Sequence, residues 1–205
     1  MAFIPQNSQT WILEENFHTK CNIWSSVDEA FTHEECDKII QYGHENYGQY
    51  LRKAQVGNVA RLDNKIRESE IVMVPNDDEE MHWVFHRLCT AINQVNAQCY
   101  EYDLRTIETI QYTNYDSSYN GFYGKHVDSQ YGVMSRKLSL TIQLTDPSEY
   151  EGGEVLLHLG SKPDIVKKDR GSITFFPSFV LHEVTPVTKG CRKSLVAWCL
   201  GPEFK

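Results

Sequence analysis

From Leu104 onward the chain is a succession of short alternating or β-branched runs cut by Gly, Asn, Asp and Pro, a pattern that restricts the second half to a sandwich or barrel. Candidate strands are Thr106 to Tyr112, Leu138 to Leu144, Glu154 to Leu159, Ser172 to Phe176, His182 to Val187 and Lys193 to Leu200. Gly152 and Gly153, following Pro147, Ser148 and Glu149, supply a turn at backbone angles closed to other residues. A double-sheet roll of this kind keeps an interior wide enough for a small ligand.

Before Leu104 the period is helical. Thr32 to Glu35 has the form of a capping box and predicts a helix over Glu34 to Tyr47, with Cys36, Ile39, Ile40 and Gly43 along one face. The acidic run Asp77 to Glu80 suits the positive start of a second helix, continued by Trp83, Val84, Leu88, Ala91, Ile92 and Val95. Between them, Lys65 to Val74 reads as a short strand after a flexible loop. The expected fold class is α+β, mainly β. Residues 1–103 form a helical support region of the same domain, and residues 104–205 form the β-core. A chain of 205 residues fits one such domain and buries roughly 70% of its unfolded surface.

The formal net charge of −8 disfavours nonspecific nucleic-acid binding, which rests on Lys and Arg neutralising phosphates. No apolar run approaches the roughly 20 residues of a membrane span, so no membrane partner is expected. Met1 to Asn7 lack a basic start followed by a long apolar run, so no secretory leader is expected. The six cysteines form no CxxC pair and no dense framework, which suits reduced thiols and a cytoplasmic location.

Chemistry concentrates in the β-rich half. His126 and Asp128 are two apart, so on an extended segment they project to one face while Val127 packs the other way. His182 comes from a different strand and completes three candidate metal ligands. Two imidazoles and one carboxylate leave half of an octahedral sphere open, which suits iron(II) and dioxygen better than a closed zinc site. Arg192 follows, with Ser194 two residues on, so a guanidinium fork and a hydroxyl share a strand face and can grip a carboxylate. Cys191, Leu195, Val196, Ala197 and Trp198 make that strand look buried, and a buried Arg requires an anionic partner such as a keto-acid cosubstrate. His18, His33, His44, His82, His86 and His158 lack comparable context and are read as non-ligands.

Ile110 to Tyr115, Tyr123 to Asp128, Lys137 to Gly153 and Arg170 to Trp198 together resemble the iron(II)/2-oxoglutarate-dependent dioxygenases of the prolyl 4-hydroxylase type, over about residues 104–202. The resemblance implies a double-stranded β-helix, or jelly roll, with Fe(II) bound by His126, Asp128 and His182. It implies 2-oxoglutarate anchored by Arg192 with Ser194 and oriented by Tyr115, with Tyr123 a further site tyrosine for either the cosubstrate or the substrate. Trp198 belongs to the same cosubstrate-binding set. Gln143 stands where some relatives carry a tyrosine that reaches the distal carboxylate, and Arg192 stands where many carry Lys.

The implied reaction couples O2 and decarboxylation of 2-oxoglutarate, to succinate and CO2, with hydroxylation of a C–H bond; ascorbate is a further expected small-molecule partner. Three readings stay open: hydroxylation of a peptidyl proline, the same chemistry on a free amino acid, another side chain or a small metabolite, and a β-roll binding module without turnover. The loops Ser129 to Arg136 and Leu51 to Asn64 are candidate lids over a substrate or plain connectors.

Overall fold

Alternation decides the central sheet. In Leu138 to Gln143 the apolar residues Leu138, Leu140 and Ile142 fall on one face and Ser139, Thr141 and Gln143 on the other, yet all six are buried. A strand buried on both faces normally reads as a continuous apolar run. Here one face meets a hydrophobic layer and the other a polar interior.

The computed structural model describes residues 23–53, 66–129 and 134–203. The elements in chain order are β1 (Ser25–Val27), α1 (His33–Tyr42), β2 (Arg52–Lys53), β3 (Arg67–Glu68), β4 (Glu70–Val74), α2 (His82–Val95), β5 (Thr106–Asp116) and β6 (Phe122–His126). They continue with β7 (Ser135–Gln143), β8 (Tyr150–Gly152), β9 (Val155–Leu157), β10 (Asp164–Ile165), β11 (Ile173–Pro177), β12 (His182–Val184) and β13 (Val187–Gly201). The major sheet runs β1-β11-β7-β13-β5-β4-β2, with β8 paired to the start of β13, and the minor sheet runs β10-β9-β12-β6-β3. Neighbours in both are antiparallel, and chain-adjacent strands repeatedly fall in opposite sheets. This is the expected double-stranded β-helix, or jelly roll.

The two helices cover the outer face of the major sheet. Cys36 and Ile39 of α1 and Val84, Leu88 and Ile92 of α2 share a core with Ile110, Tyr112, Leu138, Leu140, Ile142, Leu195 and Ala197. A second core, with Tyr115, Tyr150, Val155, Leu157, Phe176, Val184 and Val187, lies between the sheets. The Thr32 capping box is present: Thr32 Oγ1 accepts from Glu35 N at 3.2 Å, and the Glu35 carboxylate accepts from Thr32 N at 2.9 Å.

Several expectations change in extent. The first helix stops being α-helical at Tyr42 and continues as a wider π turn over Gly43–Tyr47. Gly43 lies against the Tyr112 ring, where a Cβ would come within 2.9 Å, so the helix approaches the sheet closely here and a larger residue would have to displace that buried ring. The second helix begins with a short 3-10 turn at Glu79–Met81. The N-terminal part also supplies strands: β1 extends one edge of the major sheet, β4 pairs with β5, and β3 pairs with β6 in the minor sheet.

Cys36, Cys89, Cys191 and Cys199 are free thiols, whereas Cys99 is in a disulfide, which the reading of uniformly reduced cysteines did not foresee. Among the described residues no helix is long and apolar enough to cross a membrane. Met1 to Asn7, His18, Cys21, most of the Leu51 to Asn64 loop and the middle of the Ser129 to Arg136 loop lie outside the described residues.

Candidate metal and cosubstrate site

His126 is the last residue of β6 and His182 the first of β12, and the two are directly paired across these antiparallel strands. Their rings sit 4.1 Å apart, centroid to centroid. Asp128 lies just past the end of β6, so strand periodicity alone does not place it. Instead Asp128 N and Ser129 N both donate to Ser178 O, at 2.9 and 3.0 Å, and pin the chain after β6 ends. Val127 does not pack away from the site as expected. With the strand already finished, its side chain is 49% exposed and borders the cavity mouth.

Each histidine Nδ1 lies close to a carbonyl two residues upstream, His126 to Gly124 O at 2.8 Å and His182 to Val180 O at 2.9 Å. A carbonyl can only accept, so Nδ1 carries the proton and Nε2 presents a lone pair. Those Nε2 atoms lie 3.6 Å (His126) and 3.5 Å (His182) from the two Asp128 carboxylate oxygens. Ligand atoms of all three residues fall within 4.8 Å of one another, a spacing that one ion can occupy.

Electrostatics favour the metal-binding protonation states. Burial, and then the neighbouring His182, push the His126 pKa well down, so its imidazole is neutral. Burial opposes charge on Asp128, but His182, His126 and the Ser139 hydroxyl together hold its carboxyl below the usual range. The Trp198 indole N–H also favours the charged form, although it lacks a hydrogen bond of ordinary geometry. Ser139 Oγ donates to Asp128 Oδ2 at 2.7 Å and lies 2.9 Å from Ser178 Oγ. The fit to a divalent ion with N,N,O ligands is good.

The opposite wall belongs to the major sheet. Across β5, β13 and β7 the register sets Tyr115 beside Arg192, Ser194 beside Gln143, and Trp198 beside Ser139. Arg192, Ser194, Trp198 and Tyr115 all line a cavity of about 530 Å³ that also reaches the three candidate ligands. Arg192 is 2% exposed, donates through Nη2 to Gln143 Oε1 at 2.9 Å and through Nη1 to Ser194 Oγ at 3.4 Å, and leaves Nε without a partner. No carboxylate of the described residues pairs with it. Gly153, at φ +63°, holds this arrangement: a Cβ there would come within 2.9 Å of Arg192 Cδ.

The structure therefore gathers His126, Asp128, His182, Arg192, Tyr115, Ser194, Tyr123 and Trp198 at one cavity, and Gln143 touches it through Arg192. Tyr123 stacks on His126 at 3.5 Å between centroids. His158 is apart from this group and pairs with Glu183 at 2.8 Å. Sequence reasoning missed Ser139 and Ser178, which hold Asp128, and two cavity arginines. Arg136 lies 3.9 Å over the Trp198 ring and is tied to Glu108, while Arg67 lies 4.3 Å over the Tyr123 ring. Only the polar phase of β7 could have marked Ser139, and nothing local marks the others.

Residues 110–200 match the family model of the 2OG-Fe(II) oxygenase superfamily. This stretch is similar to a 2OG-Fe(II) oxygenase domain. A PKHD-type hydroxylase of Alteromonas mediterranea is 41% identical over 83 residues, covering 37% of this chain and 37% of that protein. The PKHD-type hydroxylase YbiX of Escherichia coli is 37% identical over 120 residues, covering 55% of this chain and 52% of that protein. The matched stretches thus span about half or less of the curated relatives. In fold, the chain is similar to a Pseudomonas putida prolyl-4-hydroxylase (TM-score 0.70, 19% identity, 86% of this chain and 91% of that one). It is also similar to a Trichoplax adhaerens prolyl hydroxylase in complex with a hypoxia inducible factor peptide fragment (TM-score 0.75, 16% identity, 87% and 83%).

Proposed function

We propose that this chain is an iron(II)/2-oxoglutarate-dependent dioxygenase that hydroxylates a prolyl residue of a peptide or protein. The observation that carries this reading is one cavity with an open N,N,O ligand set on one sheet and a buried, carboxylate-free guanidinium on the other. His126, Asp128 and His182 would hold the metal. Arg192, steadied by Gln143 and Ser194, would take the distal carboxylate of 2-oxoglutarate, with Tyr115 and Trp198 forming the walls around it.

When bound, iron(II) with 2-oxoglutarate and O2 supplies decarboxylation to succinate and CO2 and transfer of one oxygen atom to a substrate C–H bond. The chain's own work is placement and exclusion of water. Val155, Phe176, Val184 and Val196 give the cavity apolar walls between the polar groups, and no general base is required. Residues 1–103 act in this reading as support within the same domain, favoured by the strands they add to both sheets. The prolyl target is supported by the hydroxylase relatives and by the peptide complex of the Trichoplax protein.

Anaerobic titration with iron(II) and 2-oxoglutarate should produce a visible charge-transfer band that Asp128→Ala abolishes. Oxygen should then release succinate, faster with some Pro-containing peptides than with free amino acids. Absence of the band overturns the oxygenase reading; a band with succinate that no peptide stimulates overturns the prolyl target alone.

A further inference from the structure

The oxygenase reading uses one buried cation, and the cavity contains another. Arg67 is 8% exposed and lines the cavity from β3 of the minor sheet, across from the major-sheet wall that carries Arg192. Its backbone pairs with Tyr123, its Nε donates to Ser69 Oγ at 2.8 Å, and its guanidinium lies 4.3 Å over the Tyr123 ring. No carboxylate of the described residues pairs with it. The adjacent Glu68 is taken by Lys53 at 2.6 Å.

The neighbouring cations differ in this respect. Arg136, also at the cavity, is held by both oxygens of Glu108 at 2.6 and 2.9 Å, and Lys53 is held by Glu68. The Arg67 Nη groups are therefore open to the cavity with only the Tyr123 ring beside them, and a guanidinium in such a partly desolvated position favours an anion more strongly than a cation–π contact. Arg192 likewise lacks a carboxylate and in addition buries an unpartnered Nε; the distal carboxylate of the cosubstrate answers it in the proposed function, and the other end of that keto acid belongs to the metal. Arg67 is left facing the cavity without an anion.

We propose that Arg67 is a substrate subsite that recognises a carboxylate, an inference that rests on the oxygenase reading above. Distance restricts where that carboxylate lies. Arg67 stands 4.3 Å above Tyr123, and Tyr123 stands 3.5 Å from His126, so the guanidinium is two stacking steps from a metal ligand. The recognised group therefore belongs to the hydroxylated residue itself or to its immediate neighbour in a peptide. It is either a chain-terminal carboxylate or an acidic side chain next to the target. Tyr123 in this arrangement is a shared wall, with one face on the metal ligand and the other on the substrate anchor.

The test is binding, read by titration calorimetry on the anaerobic iron(II)/2-oxoglutarate protein with paired probes. One pair is Pro-containing peptides with Glu or Gln beside the proline. The other is Pro-terminated peptides with a free or an amidated C-terminus. The carboxylate member of at least one pair should bind about tenfold more tightly than its neutral isostere, as a charge-assisted pair predicts. The pair that shows the preference identifies the source of the carboxylate. Arg67→Gln should erase the preference and Arg67→Lys retain part of it, with 2-oxoglutarate affinity within about twofold of the parent. Equal response, or none, to the carboxylate members in the unmodified protein overturns the subsite. So does an Arg67→Gln protein that weakens both members of each pair alike, because Arg67 would then be only a prop for Tyr123. The charge-transfer band on cosubstrate addition reports the oxygenase reading separately, so either can fail alone.

Discussion

Ser139 has a single hydroxyl proton, and the 2.7 Å contact to Asp128 uses it. The 2.9 Å contact between Ser139 and Ser178 must therefore run from the Ser178 hydroxyl to Ser139 Oγ. The same Ser178 accepts both backbone N–H groups at Asp128 and Ser129 through its carbonyl, so one buried residue fixes the carboxylate by side chain and main chain at once. With Oδ2 engaged by Ser139, the carboxylate is biased toward one-oxygen coordination, which keeps positions on a metal free. Ser139→Ala is expected to weaken Mn(II) or Co(II) binding by about 10- to 100-fold, and Ser139→Thr to restore most of it; an isothermal titration of each variant checks both. The triad was legible because two His and an Asp at that spacing carry their chemistry in their identity. Ser139 and Ser178 were not, because serine in a strand is ordinary and their contact is long-range.

At the scale of elements, alternation revealed strands but not what each face would meet. β7 and β13 were legible as strands from Leu138, Leu140, Leu195 and Ala197, while the polar phase of the same strands turned out to be buried rather than solvent-facing, with Arg192 and Ser194 lining the cavity and Ser139 and Gln143 holding Asp128 and Arg192 from behind. β6 was legible only as an extended stretch around His126 and received no strand bounds, because Phe122-Tyr123-Gly124-Lys125-His126 lacks alternation and is held by pairing with β12 and β3. β13 was read as the end of one strand and the start of another because Thr188, Lys189 and Gly190 interrupt the apolar pattern; β8 pairs there and continues the strand. The turn after β8 was legible as two glycines, and its purpose emerged only in three dimensions. Gly153→Ala adds strain at a positive φ and a methyl against Arg192, so it should lower 2-oxoglutarate affinity by roughly tenfold or more while sparing metal affinity. Equal loss of both in parallel titrations would mean that the turn supports the whole interior rather than the anchor.

Across the whole molecule the two sheets divide the proposed chemistry. His126 and His182 belong to the minor sheet, with Asp128 just past its β6, whereas Arg192, Ser194 and Tyr115 belong to the major sheet. A keto acid that reaches from the metal to Arg192 would therefore span both layers, and its binding energy would oppose their separation on unfolding. A ligand that binds only the folded state adds about 2.7 kcal/mol at 100 times its Kd, and each kcal/mol raises Tm by roughly 2–4 °C in a chain of this size. Oxygen-stable Mn(II) and 2-oxoglutarate together should thus raise Tm by about 5–10 °C in a calorimetric scan. The order of addition carries the argument: 2-oxoglutarate alone should add little, because without a metal only its distal carboxylate has a partner. Asp128→Ala should remove the metal increment and most of the keto-acid increment, and Arg192→Gln should remove the second while leaving the first. If 2-oxoglutarate stabilises the metal-free protein as much as the Mn(II)-loaded one, the two sheets do not share that ligand, and the assignment of Arg192 as its anchor is wrong.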